Sequence, residues 1–274
     1  MGKKIAFIGV GNMAGAIILG ITRRDNADFV PDGDVAVYDV DKTKYEKYGG
    51  RGFLFASCAE EAIAFADYTV LAVKPQNYRE LLSGIGEKIK DFTGKVFISL
   101  AAGVSTGSIC SILGSDAAIV RTMPNTPLLV GSGVTALCRN RFVSDEDFSA
   151  VRSIFDSMGM TMELPEKDMN KVISVTSSSP AYVFSFIKAL CDGAASQGLD
   201  YPELKESACR AVIGSATLLM NSDKTPDELI AMVTSKKGTT EQAMLTLEKY
   251  RFEEGIIEAM QKCTDRANTL GDNL

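Results

Sequence analysis

The sequence has no histidine and no CxxC pair, although it contains six cysteines. Common zinc sites combine paired cysteines with histidines at fixed spacings, so these absences predict that the protein holds no metal. Cysteines scattered without such spacing are typical of reduced, packed thiols in a cytoplasmic protein. We therefore expect these thiols to serve packing, and the protein to work in the cytoplasm.

Long apolar runs are also missing. No uninterrupted run approaches the roughly 20 residues of a membrane-spanning helix, so we expect no membrane partner. Lys3 and Lys4 precede an apolar stretch that resembles a secretory signal, but glycines and Asn12 interrupt it. The N-terminus is therefore predicted to form a buried strand and a turn.

A basic surface is not expected either. The net charge is −6 and the pI is near 4.9, which argues against nucleic acid or an anionic membrane as the main partner. With 274 residues, of which 46% are apolar and 23% charged, the chain has the size and composition of about two folded domains.

Hydrophobic patterning divides the chain into two regions. Residues 1–163 alternate β-rich runs with stretches of helical spacing, which predicts βαβ units and a mostly parallel sheet. Seven candidate strands are KKIAFIG, DVAVYD, GFLF, YTVLAV, KVFISL, DAAIVRTM and SGVTALC. Residues 164–274 are helical in pattern almost throughout, and residues 180–196 are apolar or small on nearly every side. Because a small helical domain covers such a helix poorly, we expect a subunit interface there.

The predicted fold class is therefore α/β. A Rossmann-type parallel-sheet domain that binds a dinucleotide is expected over residues 1–163, and an all-helical dimerisation domain over residues 164–274.

The first predicted strand runs into the sequence GVGNMA, residues 9–14, which then opens a helix. In dinucleotide-binding folds the first glycine, here Gly9, allows a tight turn, and the second, Gly11, lets a pyrophosphate approach the backbone. The following helix offers unpaired N–H groups to the phosphates. This context favours dinucleotide binding over an ordinary structural turn.

The end of the second strand bears on which dinucleotide binds. Asp39 lies 25 positions after Ala14, where an acidic side chain accepts hydrogen bonds from the adenosine ribose and repels a 2′-phosphate. This favours NAD(H). Lys42 and Lys44 follow, and they either neutralise a 2′-phosphate or are solvated charges at the start of the next helix.

Two further strands end in segments that we expect to border the cofactor, because ligands of open α/β sheets bind at the carboxyl ends of strands. One segment is LAVKPQ, with Lys74 and Pro75, and the other is SLAAGVS, whose Ala101 and Ala102 leave room for a nicotinamide ring. The loop RTMPNTP, residues 121–127, either closes this pocket or caps the sheet.

Two polar segments lie in the helical region. In TSSSPAYVF, Ser179 is placed as an N-cap and Pro180 as the first helical residue, so Ser178 remains as a candidate for polar contacts. In TSKKGTTEQAM, residues 234–244, Thr239 and Gln242 have the spacing of a capping box. The N–H groups of residues 238–240 are expected to face a ligand, and a carboxylate suits that position.

Six motifs together resemble those of the pyrroline-5-carboxylate reductases in order and spacing: FIGVGNMA, LAVKPQ, SLAAGVS, RTMPNTP, SSSPAY and TSKKGTTEQA. Enzymes of that family reduce the ring imine of 1-pyrroline-5-carboxylate to L-proline with NADPH or NADH. The resemblance spans nearly the whole chain. It implies a homodimer formed through the helical domain, and larger rings of dimers are common in the family.

The resemblance also implies the residues of the site. Cofactor contacts would fall on Ile8, Gly9, Gly11, Asn12, Met13, Ala72, Val73, Lys74, Pro75, Leu100, Ala101 and Ala102, besides Asp39. Substrate contacts would fall on Ser178, Ser235, Gly238, Thr239 and Thr240. Thr240 is the candidate catalytic residue because it would stand near the ring nitrogen.

Iminium reduction suits a chain without histidine. Reducing a ketone requires a strong acid to protonate the developing alkoxide, and histidine or lysine usually supplies it. A ring imine is basic enough to bind already protonated, so a hydroxyl such as that of Thr240 needs only to orient the nitrogen.

Two segments depart from the family pattern. Lys236 and Lys237 replace the Pro-Gly that usually precedes Gly238, and residues 177–179 are all serine where the family usually has Gly-Ser-Gly. Losing a glycine bears on the backbone of the carboxylate loop, because glycine readily adopts a positive φ. Two other hypotheses stay open: a β-hydroxyacid dehydrogenase that uses Lys171, and a catalytically silent nucleotide-binding protein.

Overall fold

The computed structural model describes residues 2–23 and 30–271, and one eight-stranded sheet forms the frame of its N-terminal part. The strands are β1 Ile5–Ile8, β2 Val35–Tyr38, β3 Leu54–Phe55, β4 Tyr68–Leu71, β5 Val96–Ser99, β6 Ala118–Met123, β7 Gly133–Arg139 and β8 Gly159–Glu163. Their order across the sheet is β3-β2-β1-β4-β5-β6-β7-β8. Neighbouring strands pair in parallel except for β6 and β7.

Helices cover both faces of this sheet. They are α1 Asn12–Ile21, α2 Ala59–Phe65, α3 Tyr78–Lys88, α4 Thr106–Leu113 and α5 Asp145–Asp156. Successive strand residues point to opposite faces, so Phe7 packs in the cluster with Ile17 and Phe155, whereas Ile8 packs in the cluster with Leu82. Burial on both faces explains why the strands are apolar at nearly every position.

Five further helices follow: α6 Ser179–Ser196, α7 Leu204–Met220, α8 Pro226–Val233, α9 Thr239–Lys249 and α10 Phe252–Leu270. The predicted fold class, a Rossmann-type sheet followed by a helical region, is confirmed. Among the described helices, none is both long enough and apolar enough to cross a membrane.

Contacts between residues group the chain into two units. One comprises residues 1–178 with 263–274, and the other residues 179–262. Residues 164–178 belong to the first unit because Met169, Val172 and Ile173 pack with Met123 and Ala136 of the sheet. The predicted boundary between residues 163 and 164 separates domains that fold independently, which is a different property from grouping by contacts. It stays a prediction.

The entry to α6 differs from the expectation. A π-helical turn over Ile173–Ser177 precedes it, and Ser178 has helical backbone angles (φ −94°, ψ −28°). Ser179 is itself the first residue of α6. The predicted capping role of Ser179 is therefore wrong, because an N-cap residue enters a helix from extended backbone.

The second unit exposes much apolar surface in the single chain. Helices α6, α7, α8 and α9 contain no buried residue. In α6, Phe184 is 64% exposed. So many exposed apolar side chains in one unit indicate an interaction surface, as the apolar circumference of α6 predicts.

Candidate functional site

A cavity of about 820 Å³ opens at the carboxyl ends of β1, β2 and β4. The strand order reverses there, since β2 and β3 lie on one side of β1 and β4 lies on the other. Ligands of doubly wound sheets bind at such a switch point. Seven of the residues predicted to contact the cofactor line this cavity: Ile8, Gly9, Gly11, Asp39, Ala72, Val73 and Lys74.

The glycines of the first loop fit a dinucleotide. Gly9 has φ +91°, and a Cβ there would lie 2.9 Å from the backbone C and O atoms of Ala72, so a larger residue cannot replace it without movement. A Cβ at Gly11 would meet nothing within 4 Å. Gly11 is the N-cap of α1 and lines the cavity, so open space lies before the first N–H groups of that helix. A pyrophosphate suits this position by charge and by size.

Asp39 closes the end of β2 and is 6% exposed. Its carboxylate accepts hydrogen bonds from the N–H groups of Val10 and Asp41, each at 2.9 Å, and from Lys44 Nζ. Burial tends to raise the pKa of the Asp39 carboxyl, but these hydrogen bonds outweigh burial and hold the pKa below its usual value. Asp39 is therefore ionised at neutral pH, and it joins the glycine loop to the segment after β2.

The other predicted cofactor residues do not line the cavity, but some of them are adjacent in sequence to residues that do. Asn12 and Met13 form the first turn of α1, and Pro75 opens a 3₁₀ turn directly after Lys74. Residues 100–102 follow β5, and the N–H of Leu100 donates to the carbonyl of Leu71 at 3.1 Å. Their contact with a cofactor stays a prediction.

The sequence did not predict one group of residues that lines the cavity. Cys58 and Glu60 line it just after β3, and Lys88 at the end of α3 forms an ion pair with Glu60 at 2.8 Å. The Lys88 hydrogen bond is the main reason that the pKa of Glu60 lies below its usual value. The sequence signal was the strand GFLF, because β3 ends at the same edge of the sheet as β1 and β2.

Four of the predicted substrate residues lie at the start of α9: Ser235 and Gly238 in the loop before it, and Thr239 and Thr240 in its first turn. The N–H of Gly238 donates to the carbonyl of Ser235 at 2.9 Å, so a tight turn takes up one of the three donors that were expected to face a ligand. A Cβ on Gly238 would lie 2.9 Å from the backbone carbonyl oxygen of Ser235, so the turn favours glycine. Thr239 and Thr240 are in the first turn of α9, whose N–H groups have no acceptor within the helix.

The predicted capping box is wrong. Gly238 is the N-cap of α9 and provides no side-chain cap, so Thr239 is already the first helical residue. The Glu241 carboxylate instead accepts from the N–H of Lys237 at 2.8 Å. Lys237 has φ +59°, one of two non-glycine residues with positive φ among the described residues. This is the position where the family has glycine, so the lysine adopts a backbone conformation that suits glycine.

Two other residues from the sequence hypotheses have defined partners. Ser178 Oγ lies 3.2 Å from Cys263 Sγ. Lys171 Nζ pairs with Asp168 Oδ1 at 2.7 Å, and the Lys171 side chain is 66% exposed. A solvated, paired surface lysine is a poor general acid, so the β-hydroxyacid dehydrogenase hypothesis is not favoured.

Comparison with known proteins tests the resemblance independently. Residues 166–270 match the family model for pyrroline-5-carboxylate reductase dimerisation, and residues 4–103 match the model for NADP oxidoreductase, coenzyme F420-dependent. The pyrroline-5-carboxylate reductase of Escherichia coli K12 is 37% identical over 272 residues, which cover 98% of this chain and 99% of that protein. The pyrroline-5-carboxylate reductase of Aquifex aeolicus is 34% identical, with 97% of each chain covered.

Solved structures agree. The crystal structure of Plasmodium falciparum pyrroline carboxylate reductase with NADP bound aligns with a TM-score of 0.90 at 30% identity, covering 98% of both chains. The resemblance predicted from the six motifs is therefore confirmed along the whole chain.

Proposed function

The chain belongs to the pyrroline-5-carboxylate reductase family, and from that premise we propose that it reduces 1-pyrroline-5-carboxylate to L-proline with NADPH or NADH. The observation that carries this proposal is the similarity to reductases of that name over the full length of both chains. The cavity at the sheet switch point supports it, because its glycine loop and the open space before α1 fit a dinucleotide.

The bound nicotinamide supplies a hydride, and the residues of the chain bind and orient the two reactants. We propose that the residues lining the cavity, together with Asn12, Met13, Pro75 and residues 100–102, hold the cofactor. Asp39 would accept a hydrogen bond from the adenosine ribose, which favours NADH over NADPH. NADP in the Plasmodium falciparum structure indicates that the family site also accepts the phosphorylated cofactor.

Substrate binding is proposed for the loop before α9 and for Ser178. The N–H groups of Thr239 and Thr240 suit a carboxylate, because a helix N-terminus carries partial positive charge. The Thr240 hydroxyl would orient the protonated ring nitrogen. Hydride transfer to the iminium carbon turns the C=N bond into a C–N single bond, and the nitrogen keeps its proton, so no strong general acid is required.

The dimerisation-domain match supports homo-oligomerisation. We propose a homodimer formed through the helical unit, since helices α6 to α9 bury none of their residues in the single chain. A larger ring of dimers and a cytoplasmic location are proposed from the family resemblance. The molar mass in solution, measured by light scattering during gel filtration, tests the oligomer.

A single assay tests the activity. Purified protein is mixed with 1-pyrroline-5-carboxylate and either NADPH or NADH, and the absorbance of the reduced cofactor is followed while proline is quantified. We expect proline to form in step with cofactor oxidation. If neither cofactor is oxidised, the proposed activity is wrong, and a catalytically silent nucleotide-binding protein becomes the better hypothesis.

A further inference from the structure

Tyr78, the first residue of α3, buries its hydroxyl in the sheet. Its side chain is fully buried, and its O–H donates to the carbonyl of Leu71 at 2.8 Å. The same oxygen lies 3.1 Å from Ser99 Oγ, and Ser99 is also fully buried. Since the tyrosine proton goes to the carbonyl, the serine hydroxyl is the donor to the tyrosine oxygen.

These hydrogen bonds join two strand ends. Leu71 is the last residue of β4, Ser99 is the last residue of β5, and the two are paired in the sheet. The segments that follow are residues 72–75 and residues 100–102, on which the proposed cofactor contacts lie. Tyr78 therefore contacts Leu71 and Ser99, the residues that immediately precede the two segments.

Other contacts tighten the same junction. The carbonyl of Leu71 also accepts from the N–H of Leu100 at 3.1 Å, and the carbonyl of Ser99 accepts from Thr122 Oγ1 at 3.2 Å. Burial raises the pKa of Tyr78, so its hydroxyl stays protonated at physiological pH. The junction is a set of hydrogen bonds between neutral groups, in which Ser99 Oγ also accepts from the N–H of Ala101 at 3.4 Å.

Packing alone does not require the hydroxyl. The Tyr78 ring lies in an apolar cluster with Leu82, Phe97 and Ile109, where phenylalanine would fill the same space. A buried hydroxyl requires hydrogen-bond partners, and the partners of this one are the ends of β4 and β5. Its place between the two cofactor segments provides a reason for the polar atom.

We propose that Tyr78 and Ser99 are positioning residues, whose paired hydroxyls fix residues 72–75 against residues 100–102 and so hold the nicotinamide half of the cofactor. This inference rests on the proposed function. Neither residue needs to touch the cofactor, because each acts through the strand end that it holds.

The test uses the full-length variants Tyr78→Phe, Ser99→Ala and their combination. Tyr68→Phe is the matched control, because the Tyr68 side chain is also buried at the start of β4, while its hydroxyl donates to the partly exposed Asp147 Oδ1 at 3.0 Å, away from the cavity. Binding of NADPH and NADH is measured by calorimetry, KM and kcat by cofactor absorbance, and folding by thermal unfolding.

We expect each Tyr78 or Ser99 variant to raise the Kd and KM of the cofactor by about 5- to 10-fold, as for loss of one or two buried hydrogen bonds. The KM for the imine substrate should change little. The cofactor Kd of the double variant should not exceed that of the more strongly affected single variant, because the two hydroxyls act as one unit. Tyr68→Phe should lower the unfolding temperature without changing cofactor binding.

Two results would overturn the inference. One is a folded Tyr78→Phe or Ser99→Ala variant whose cofactor Kd stays within twofold of wild type. The other is an equal rise in Kd for Tyr68→Phe, which would show a general effect of losing a buried hydroxyl. If wild-type protein binds the cofactor but forms no proline, the proposed function fails instead, and the calorimetric comparison still decides the role of Tyr78.

Discussion

Lys44 donates to both carboxylate oxygens of Asp39, at 3.0 Å from each. The two side chains line the cavity where β2 ends, and Asp39 also accepts from the N–H groups of Val10 and Asp41. An anion and its compensating cation thus lie together at the place where dinucleotide-binding folds recognise the adenosine ribose. A 2′-phosphate bound there would be repelled by Asp39 and attracted by Lys44.

This pair predicts opposite effects of two substitutions on cofactor choice. Asp39→Asn removes the repulsion, so the ratio of kcat/KM for NADPH to that for NADH should rise about tenfold, a modest share of the Coulomb energy of one close charge. Lys44→Met leaves Asp39 uncompensated, so the ratio should fall by a similar factor. Initial rates with both cofactors measure it.

The matched control is Lys42→Met. Lys42 Nζ donates to the Tyr45 hydroxyl at 3.0 Å and to the carbonyl of Ala56 at 3.4 Å, rather than to the Asp39 carboxylate. This variant removes the same charge from the same segment and should leave the ratio nearly unchanged. Equal shifts for Lys42→Met and Lys44→Met would contradict a specific role of the Asp39–Lys44 pair.

Local patterns were enough to predict the sheet and the glycine loop. Residues 5–8 are apolar at every position because they are buried on both faces, and GVGNMA follows them directly. The last strand, β8, was missed because Met160, at 56% exposed, and Thr161, which is buried, give a short alternation without an apolar run. Helix α5 follows β7 and carries a recognisable start signal, because Ser144 caps it through the N–H of Asp147.

Side-chain competition at the start of α9 could not be predicted from spacing. Thr239 and Gln242 have the spacing of a capping box, yet the Glu241 carboxylate bonds the N–H of Lys237 and the helix begins after Gly238. A shift of one residue in the N-cap position is enough to remove the predicted pairing. The doubt that the sequence raised about Lys237 was better founded, because its backbone has positive φ.

Lys237→Gly should stabilise the protein. A non-glycine residue in the left-handed region destabilises the folded protein by about 1–2 kcal/mol, and glycine removes this cost. The greater freedom of glycine in the unfolded chain offsets about 0.5–1 kcal/mol of the gain. We expect the free energy of unfolding to rise by about 0.5–1 kcal/mol, measured by urea denaturation at fixed protein concentration.

Lys236→Gly serves as the control for this substitution. It removes the same charge from the neighbouring position, but Lys236 is not among the described residues with positive φ, so glycine there should not stabilise the protein. If both variants gain stability equally, relief of charge repulsion rather than of backbone strain is the cause.

Cys58 should report on occupancy of the cavity. Cys58 is partly exposed and lines the cavity with Glu60, whereas Cys138 is buried in the core and burial raises the pKa of its thiol to about 12. We expect NADPH at saturating concentration to slow alkylation of Cys58 by N-ethylmaleimide at least about tenfold, since the cofactor would cover it. Mass spectrometry of the alkylated peptides measures the rate at each cysteine.

Cys138 should stay unreactive with or without cofactor in that experiment, which shows that the protein remains folded. Ser57→Ala is the control variant, because the Ser57 hydroxyl donates to Glu61 and Ser57 does not line the proposed cofactor cavity. Protection of Cys58 by NADPH should be the same in this variant as in the wild type. Alkylation of Cys58 at the same rate with and without NADPH would place the cofactor elsewhere.

Thr240 is the residue on which the proposed chemistry depends most. It lies in the first turn of α9, where its hydroxyl and N–H both belong to the proposed substrate site. Thr240→Ala should lower kcat by about 100-fold, the loss expected when a bound reactant is misplaced by about 1 Å, while the Kd of NADPH stays near wild type. Thr240→Ser keeps the hydroxyl and should recover most of the rate.

Thr246→Ala separates this effect from general damage to α9. The Thr246 hydroxyl donates to the carbonyl of Gln242 at 2.9 Å on the exposed side of the same helix, so its loss should change neither kcat nor the Kd of NADPH. A Thr240→Ala variant that turns over at the wild-type rate would show that positioning and the N–H groups of α9 suffice for iminium reduction. The hydroxyl would then have no part in the reaction.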